Sequence, residues 1–521
     1  MTLNEFLQHH RLIENPFRGE EARTDAVFAR MGHNQPAERV ATPTSRSFEL
    51  HHSDFEKIVG DLRRPSASVV FGEKGSGKTA IRLQITRRVH EHNAQHPNEK
   101  VLLISYDDLN GVLGPLHEFH GSKSPLETVQ KIRLVDHIDA LLHNAVVRLV
   151  DALLGKPADS LAFDLGADPR KAVRKLSLRQ RQELLLLQAL YDRPTVADSR
   201  TRELRSRLRI GPPWGAILTN AVALFGLAAV GAAAVYGLFF APARFKPEWA
   251  WWVLAGITAA CGVLLVKHYA WDRGVLASTA RKIRRQLRTL GRGQRSLVRS
   301  LLQLSPRLRP AMALPVTDTD ETRFQALEML RRVVLPLGYT GVMVVVDRVD
   351  EPTLVNGDPD RMRALVWPML NNKFLQHPGL GVKLLLPVEL RYMLFRESSA
   401  FFQEARLDKQ SLVERLTWSG AMLFDLCESR LNACREDAAG GPASLLDIFA
   451  EDVTRQDLVD TLDQMHQPRD AFKLLYRCVT EHCSNVTRAE EQWRIPKLIL
   501  DTVRKQEVDR VQALYRGIRP G

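Results

Sequence analysis

The run Gly72-Glu73-Lys74-Gly75-Ser76-Gly77-Lys78-Thr79 has the spacing G-x-x-x-x-G-K-T of a loop that holds phosphate. Gly72, Gly75 and Gly77 let the backbone wrap an oxyanion, Lys78 is spaced to reach β/γ-phosphate oxygens, and Thr79 offers its hydroxyl to Mg²⁺. A second chemical feature lies far downstream in "GYTGVMVVVDRVDEP", where the apolar run 342–346 ends in Asp347. An acid at a strand end suits the water shell of Mg²⁺ beside a phosphate loop. Orientation of an attacking water falls to Asp350 or Glu351, with Asp350 preferred, because Arg348 fills the position directly after Asp347. The chemistry implied is phosphoryl transfer from a nucleoside triphosphate with Mg²⁺.

These residues need a parallel sheet to bring them together. The apolar run 67–71 reads as the strand before the phosphate loop, and 79–90 as the helix after it. Residues 101–108, "VLLISYDD", and 381–390, "GVKLLLPVEL", read as further strands. The fold class expected is α/β: a P-loop NTPase with a parallel sheet flanked by helices. Between the second strand and residue 213, "LVDHIDALLHNAVVRLVDALL" (134–154) carries Ile138, Leu141, Leu142, Ala145, Leu149 and Leu153 on one stripe, as a core-facing helix does.

Residues 214–241 contain no charge over more than the ~20 residues a bilayer span needs. Residues 249–266 form a second uncharged run, separated from the first by "PARFKPE". Trp214, Tyr236, Trp249, Trp251, Trp252, Tyr269 and Trp271 cluster near the ends, as interfacial aromatic residues do. The expectation is a transmembrane hairpin inserted in the nucleotide domain. Arg200, Arg202, Arg205, Arg207 and Arg209 precede it, and Lys267, Arg273, Arg281, Lys282, Arg284 and Arg285 follow it. The positive-inside rule then predicts a two-pass protein of the inner (cytoplasmic) membrane with both termini cytoplasmic. Ala229, Ala233 and Gly237 in the first run, with Gly256 and Ala260 in the second, have the spacing of close helix contacts within the hairpin or between subunits.

The chain carries a formal net charge of +13, and residues 267–310 hold twelve Lys and Arg against the single acid Asp272. Apolar positions Leu276, Ala280, Ile283, Leu287, Leu290, Gln294, Leu297, Leu301 and Leu304 step by threes and fours there. This predicts a basic amphipathic helical arm, interrupted at Gly291 and Gly293, that lies on anionic headgroups, forms a stalk or binds nucleic acid. Five cysteines without C-x-x-C or zinc spacing fit a reducing compartment, and "MTLNEFLQHHRLIENPF" lacks signal-peptide patterning. His-rich "EHNAQH" (91–96) reads as solvated loop, and no nuclease, protease, deaminase or kinase constellation is visible.

The order of phosphate loop, two membrane helices, then an acidic strand end of form D-x-x-D resembles the KAP family of P-loop NTPases. "EARLDKQSLVERLTWSGAMLFDLCESRL" resembles the initiator-type AAA+ clade, which implies that Arg406 acts as a finger on a neighbouring subunit. "QPRDAFKLL" resembles the lid motif whose arginine senses the γ-phosphate, here Arg469. Arg348 after Asp347, and Pro387 to Glu389 where a polar sensor usually ends the fourth strand, depart from the AAA+ pattern and predict slow, assembly-dependent hydrolysis. The resemblance implies a homo-oligomeric switch in bacterial anti-phage defence. The hairpin or a recruited effector protein would be its output.

The organisation expected is 1–60 N-terminal segment, with "ENPF" (14–17) near the base; 61–110 first part of the core; 111–213 helical insert; 214–266 hairpin; 267–310 basic arm; 311–410 second part of the core; and 411–521 helical lid. Two functions follow: a membrane-anchored ATPase switch, or a membrane-tethered ATPase that handles nucleic acid.

Overall fold

The computed structural model describes residues 1–19, 21–33, 51–122, 124–156, 163–166, 168–211, 214–239, 248–304, 314–436, 442–486 and 492–515. Part of "PARFKPE", the stretch 305–313 and the final six residues lie outside the described residues. The chain divides into two units, residues 1–109 with 340–521, and residues 110–339.

The first unit is built on a five-stranded parallel sheet. Its strands are β1 (Ser68–Gly72), β2 (Lys100–Tyr106), β3 (Tyr339–Val346), β4 (Leu380–Pro387) and β5 (Ser411–Val413), in the order β2-β3-β4-β1-β5. All five residues of β1 and all eight of β4 are buried, which explains their continuous apolar reading. Register pairs Gly72 with Pro387 and Val346 with Leu384, so β1 and β4 end level and β3 ends three residues short of them on the same edge. Ligands of open parallel sheets sit at these carboxyl ends. The three-residue β5 was invisible in the sequence, because three positions cannot show a period.

Helices Gly420–Ala433, Arg455–Asp463, Pro468–Asn485 and Lys497–Tyr515 follow the sheet. Their core contains Leu423, Leu431, Leu458, Leu474 and Leu500, and it also takes Phe6, Leu7, Leu12, Phe17 and Val27. These described N-terminal residues thus share one core with the C-terminal helices. Leu12 bridges Arg435, and Arg430 donates to the Pro16 carbonyl at 2.7 Å.

The second unit is helical. Leu134–Leu154, Leu178–Tyr191, Ala197–Arg207, Gln294–Leu302 and Asp320–Val334 pack together, and the whole stripe expected on 134–154 is buried. Buried ion pairs cross it: Arg288 to Asp136, Arg323 to Asp139 at 3.3 Å, and Arg200 to both Asp151 and Asp192 at 2.7 and 2.9 Å. The segment expected as an arm is part of this bundle. Leu276, Ala280, Ile283, Leu287, Leu290, Leu297, Leu301 and Leu304 are buried in it. Arg288 and Arg292 turn inward, so two of the counted cations are not surface charge. Arg281, Lys282, Arg284 and Arg285 remain exposed.

Trp214–Phe239 and Glu248–Val266 are helices packed on one another. Among the described residues no helix is long and apolar enough to cross a membrane. Several end positions, Trp214 and Trp249 among them, have side chains outside the described residues. Contact between the two helices forms at Ala223, Gly226 and Cys261: a Cβ at Gly226 would stand 2.6 Å from Cys261 Sγ. Of the small residues expected at close contacts, Ala229 is exposed and nothing described lies within 4 Å of a Cβ at Gly256, whereas Ala233 is half-buried.

Candidate nucleotide site

The phosphate loop leaves β1 and enters the helix Lys78–Gln95. Gly75 and Gly77 have φ of +99° and +95°, a region that side chains with a Cβ rarely occupy, so the loop shape requires glycine there. Lys78 Nζ donates to the carbonyls of Gly72 at 2.7 Å and Glu73 at 2.8 Å, folded back along its own loop. Burial pushes the Lys78 ammonium below its ordinary range, and the carboxylates of Asp347, Asp350 and Glu389 oppose that shift.

Asp347 is buried at the end of β3. Its Oδ2 accepts from Thr79 Oγ1 at 3.2 Å, so the two positions expected to share Mg²⁺ meet directly. Burial raises the Asp347 carboxyl above the ordinary carboxylate range, opposed by Arg82 and Lys78. Arg348 adopts φ of +62°, and its side chain pairs with Glu21 and, at 3.1 Å, with Glu351. Burial also raises Glu351, opposed by Arg348. Of the two candidates for orienting water, Glu351 is therefore held by a cation, and Asp350 lines the same cavity.

That cavity measures about 550 Å³, within the range of roughly 300–1,000 Å³ that small-molecule sites occupy. Gly75, Gly77, Lys78, Thr79, Asp347, Asp350, Glu351 and Arg469 all line it. Gly72 closes β1 beneath the loop. Arg469, at the start of the helix Pro468–Asn485, packs so tightly on the loop that a Cβ at Gly75 would stand 2.9 Å from the Arg469 Cβ. Arg406 does not line the cavity; it caps the helix Ser399–Ala405 with φ of +48° and pairs with Asp408 at 3.4 Å.

Other contributors were not legible in the sequence. Trp418 Nε1 donates to the Ser76 carbonyl at 2.9 Å, and the Trp418 ring lies beside Gly77. Glu73, inside the loop, is tied to Arg415 and to Gln467 of the lid. Glu389 follows the end of β4, the strand between β1 and β3, and lines the cavity near Lys78. Residues Gly19, Glu21, Ala22, Asp25 and Phe28 form a further wall. "ENPF" itself lies just before that wall. Asp25 caps the turn at Val27 and Phe28 and pairs at 2.6 Å with buried Arg430, whose guanidinium covers the Phe472 ring.

The residues fit a nucleotide with Mg²⁺. Ser76 Oγ and Arg469 Nε are buried without a hydrogen-bond partner among the described residues, both next to the loop. Among the described residues no cluster of three or more His, Cys, Asp and Glu could enclose a metal. One hydroxyl and one carboxylate suit Mg²⁺ that also binds substrate phosphates and water. No family model matches this chain, and no curated protein or solved structure matches it at a significant level.

Proposed function

We propose that this chain is a membrane-anchored ATPase of slow turnover that works as a nucleotide-dependent switch. The observation that carries the reading is the meeting of Thr79, Asp347 and Lys78 at the floor of one cavity lined by the glycines of the phosphate loop. Lys78 Nζ, now capping loop carbonyls, would exchange them for β/γ-phosphate oxygens, while the loop N–H groups cradle the anion. Thr79 and Asp347 would hold Mg²⁺, which supplies charge neutralisation on the phosphates. Asp350 would orient the attacking water and accept its proton. Arg469 would read the γ-phosphate from the lid, and Trp418 would keep water from the loop. Arg406, half-buried outside the cavity and paired with its neighbour Asp408, would reach a neighbouring subunit's nucleotide.

The anchor reading rests on the uncharged run 214–241 and on the outward faces of the two helices around it. Of 23 large apolar residues exposed among the described ones, fifteen fall between Leu218 and Val275, including Phe225 at 80% and Trp252 at 76%. A surface apolar on every side is stable in lipid and costly in water. That favours a lipid partner over nucleic acid as the anchor's surroundings. The test is phosphate release from ATP by the full chain in lipid nanodiscs. Lys78→Ala should abolish it, and Asp350→Asn should lower turnover while ATP still binds. Hydrolysis that survives Lys78→Ala would remove the reading.

A further inference from the structure

Arg82 lies three residues past Thr79 on the phosphate-loop helix and is buried. Its guanidinium sits between two carboxylates from neighbouring strand ends. Nε stands 3.3 Å from Asp347 Oδ2, and Nη1 donates to Asp107 and, at 3.2 Å, to Ser105 Oγ. Asp107 is held in turn by Ser105 Oγ at 2.9 Å and by Arg23. Oδ2 of Asp347 is also the atom that accepts from Thr79. The carboxylate oxygen that faces the metal-binding hydroxyl is therefore already engaged by a permanent cation.

We propose that Arg82 is a positioning residue and built-in counter-charge. It stands in for part of the neutralisation that Mg²⁺ would otherwise supply, so nucleotide binding depends little on the metal. The inference rests on the nucleotide reading above. An arginine stays charged at any working pH, and at 3–4 Å in a buried site its field on Asp347 is large. With Arg82 present, a triphosphate entering without metal meets Asp347 and Asp107 balanced by Arg82 and Arg23. Without it, the phosphates face an uncompensated carboxylate, and only a divalent cation can relieve the repulsion. Mg²⁺ that does enter must share Asp347 Oδ2 with Arg82, which weakens its hold.

The experiment is equilibrium binding of a fluorescent ATP analogue to the full chain, in EDTA and in excess Mg²⁺. For the unmodified protein the two affinities should lie within about tenfold, and Arg82→Met should widen the gap by at least about another tenfold, mainly through lost binding in EDTA. Arg82→Lys should recover part of the EDTA affinity. Asp347→Asn offers an independent reading that leaves Arg82 in place: freeing the guanidinium should tighten binding in EDTA by several-fold and weaken the benefit of Mg²⁺. A metal dependence that ignores Arg82, or Asp347→Asn that leaves EDTA binding unchanged or weaker, overturns the proposal alone. Absence of nucleotide binding in both conditions removes the nucleotide reading and this proposal with it.

Discussion

Lys383 shows how a single side chain can set the pH response of a sheet. It is fully buried in β4 opposite Ser68, its Nζ has no hydrogen-bond partner among the described residues, and burial lowers its ammonium to about 7. The unfolded chain keeps the ordinary value of 10.5. Between the two values the unfolded state binds more protons, so stability falls as pH drops from 10.5 to about 7 and levels off below that, where both states are protonated. Lys383→Met should stabilise the first unit by roughly 2 kcal/mol at neutral pH and flatten that alkaline rise. Thermal unfolding across pH checks it, and an unchanged slope would show that Lys383 keeps its charge. At this scale the phosphate loop was legible because its eight residues are contiguous and each type has one physical task. Trp418 was not, because its partner Ser76 lies 342 positions away and nothing local marks the pairing.

At the scale of elements, helical periodicity was read correctly in 276–304 while its destination was not. Every leucine of that stripe is buried, but against the helices of its own bundle. Charge counting could not show that Arg288 pairs with Asp136 or that Arg292 donates to Ser300 Oγ at 2.6 Å. The same limit hid the N-terminal segment, whose Glu21, Arg23 and Asp25 reach Arg348, Asp107 and Arg430. Asp25→Ala would leave Arg430 buried without its acid and uncap the turn at Val27, at a cost of about 3 kcal/mol. Denaturant unfolding should show that loss, and Asp25→Asn should recover part of it by keeping the cap. In the helix pair, Gly226→Leu should break the packing against Cys261. A Cβ at Gly256 has no described atom within 4 Å, so a loss of assembly in Gly256→Leu that Gly226→Leu does not match would report contacts with another molecule. Crosslinking of detergent-extracted protein separates the two, and equal behaviour would show that Gly256 faces only solvent or lipid.

For the whole molecule, the sheet class was visible from three apolar runs and an acidic strand end. The order of its strands was not, because β2 and β3 are neighbours in the sheet yet more than 230 residues apart in sequence. A nucleotide switch needs two states with different contacts. The lid supplies a place for such a difference: Glu73 of the loop is tied to Gln467, and Arg469 packs on Gly75. Glu73→Gln should loosen that tie and make the lid more accessible to limited proteolysis before ATP is added, with ATP restoring protection. Protection identical to the unmodified protein in both states would mean the tie does not hold the lid. The central claim stands on nucleotide entering this cavity. Direct ATP binding to the full chain in nanodiscs, measured by equilibrium dialysis for the unmodified protein and for Lys78→Ala, tests it. Saturable one-to-one binding that weakens at least about a hundredfold in the variant is expected, since a charge-assisted contact to phosphate is lost. Equal binding by both proteins, or none by either, would contradict it.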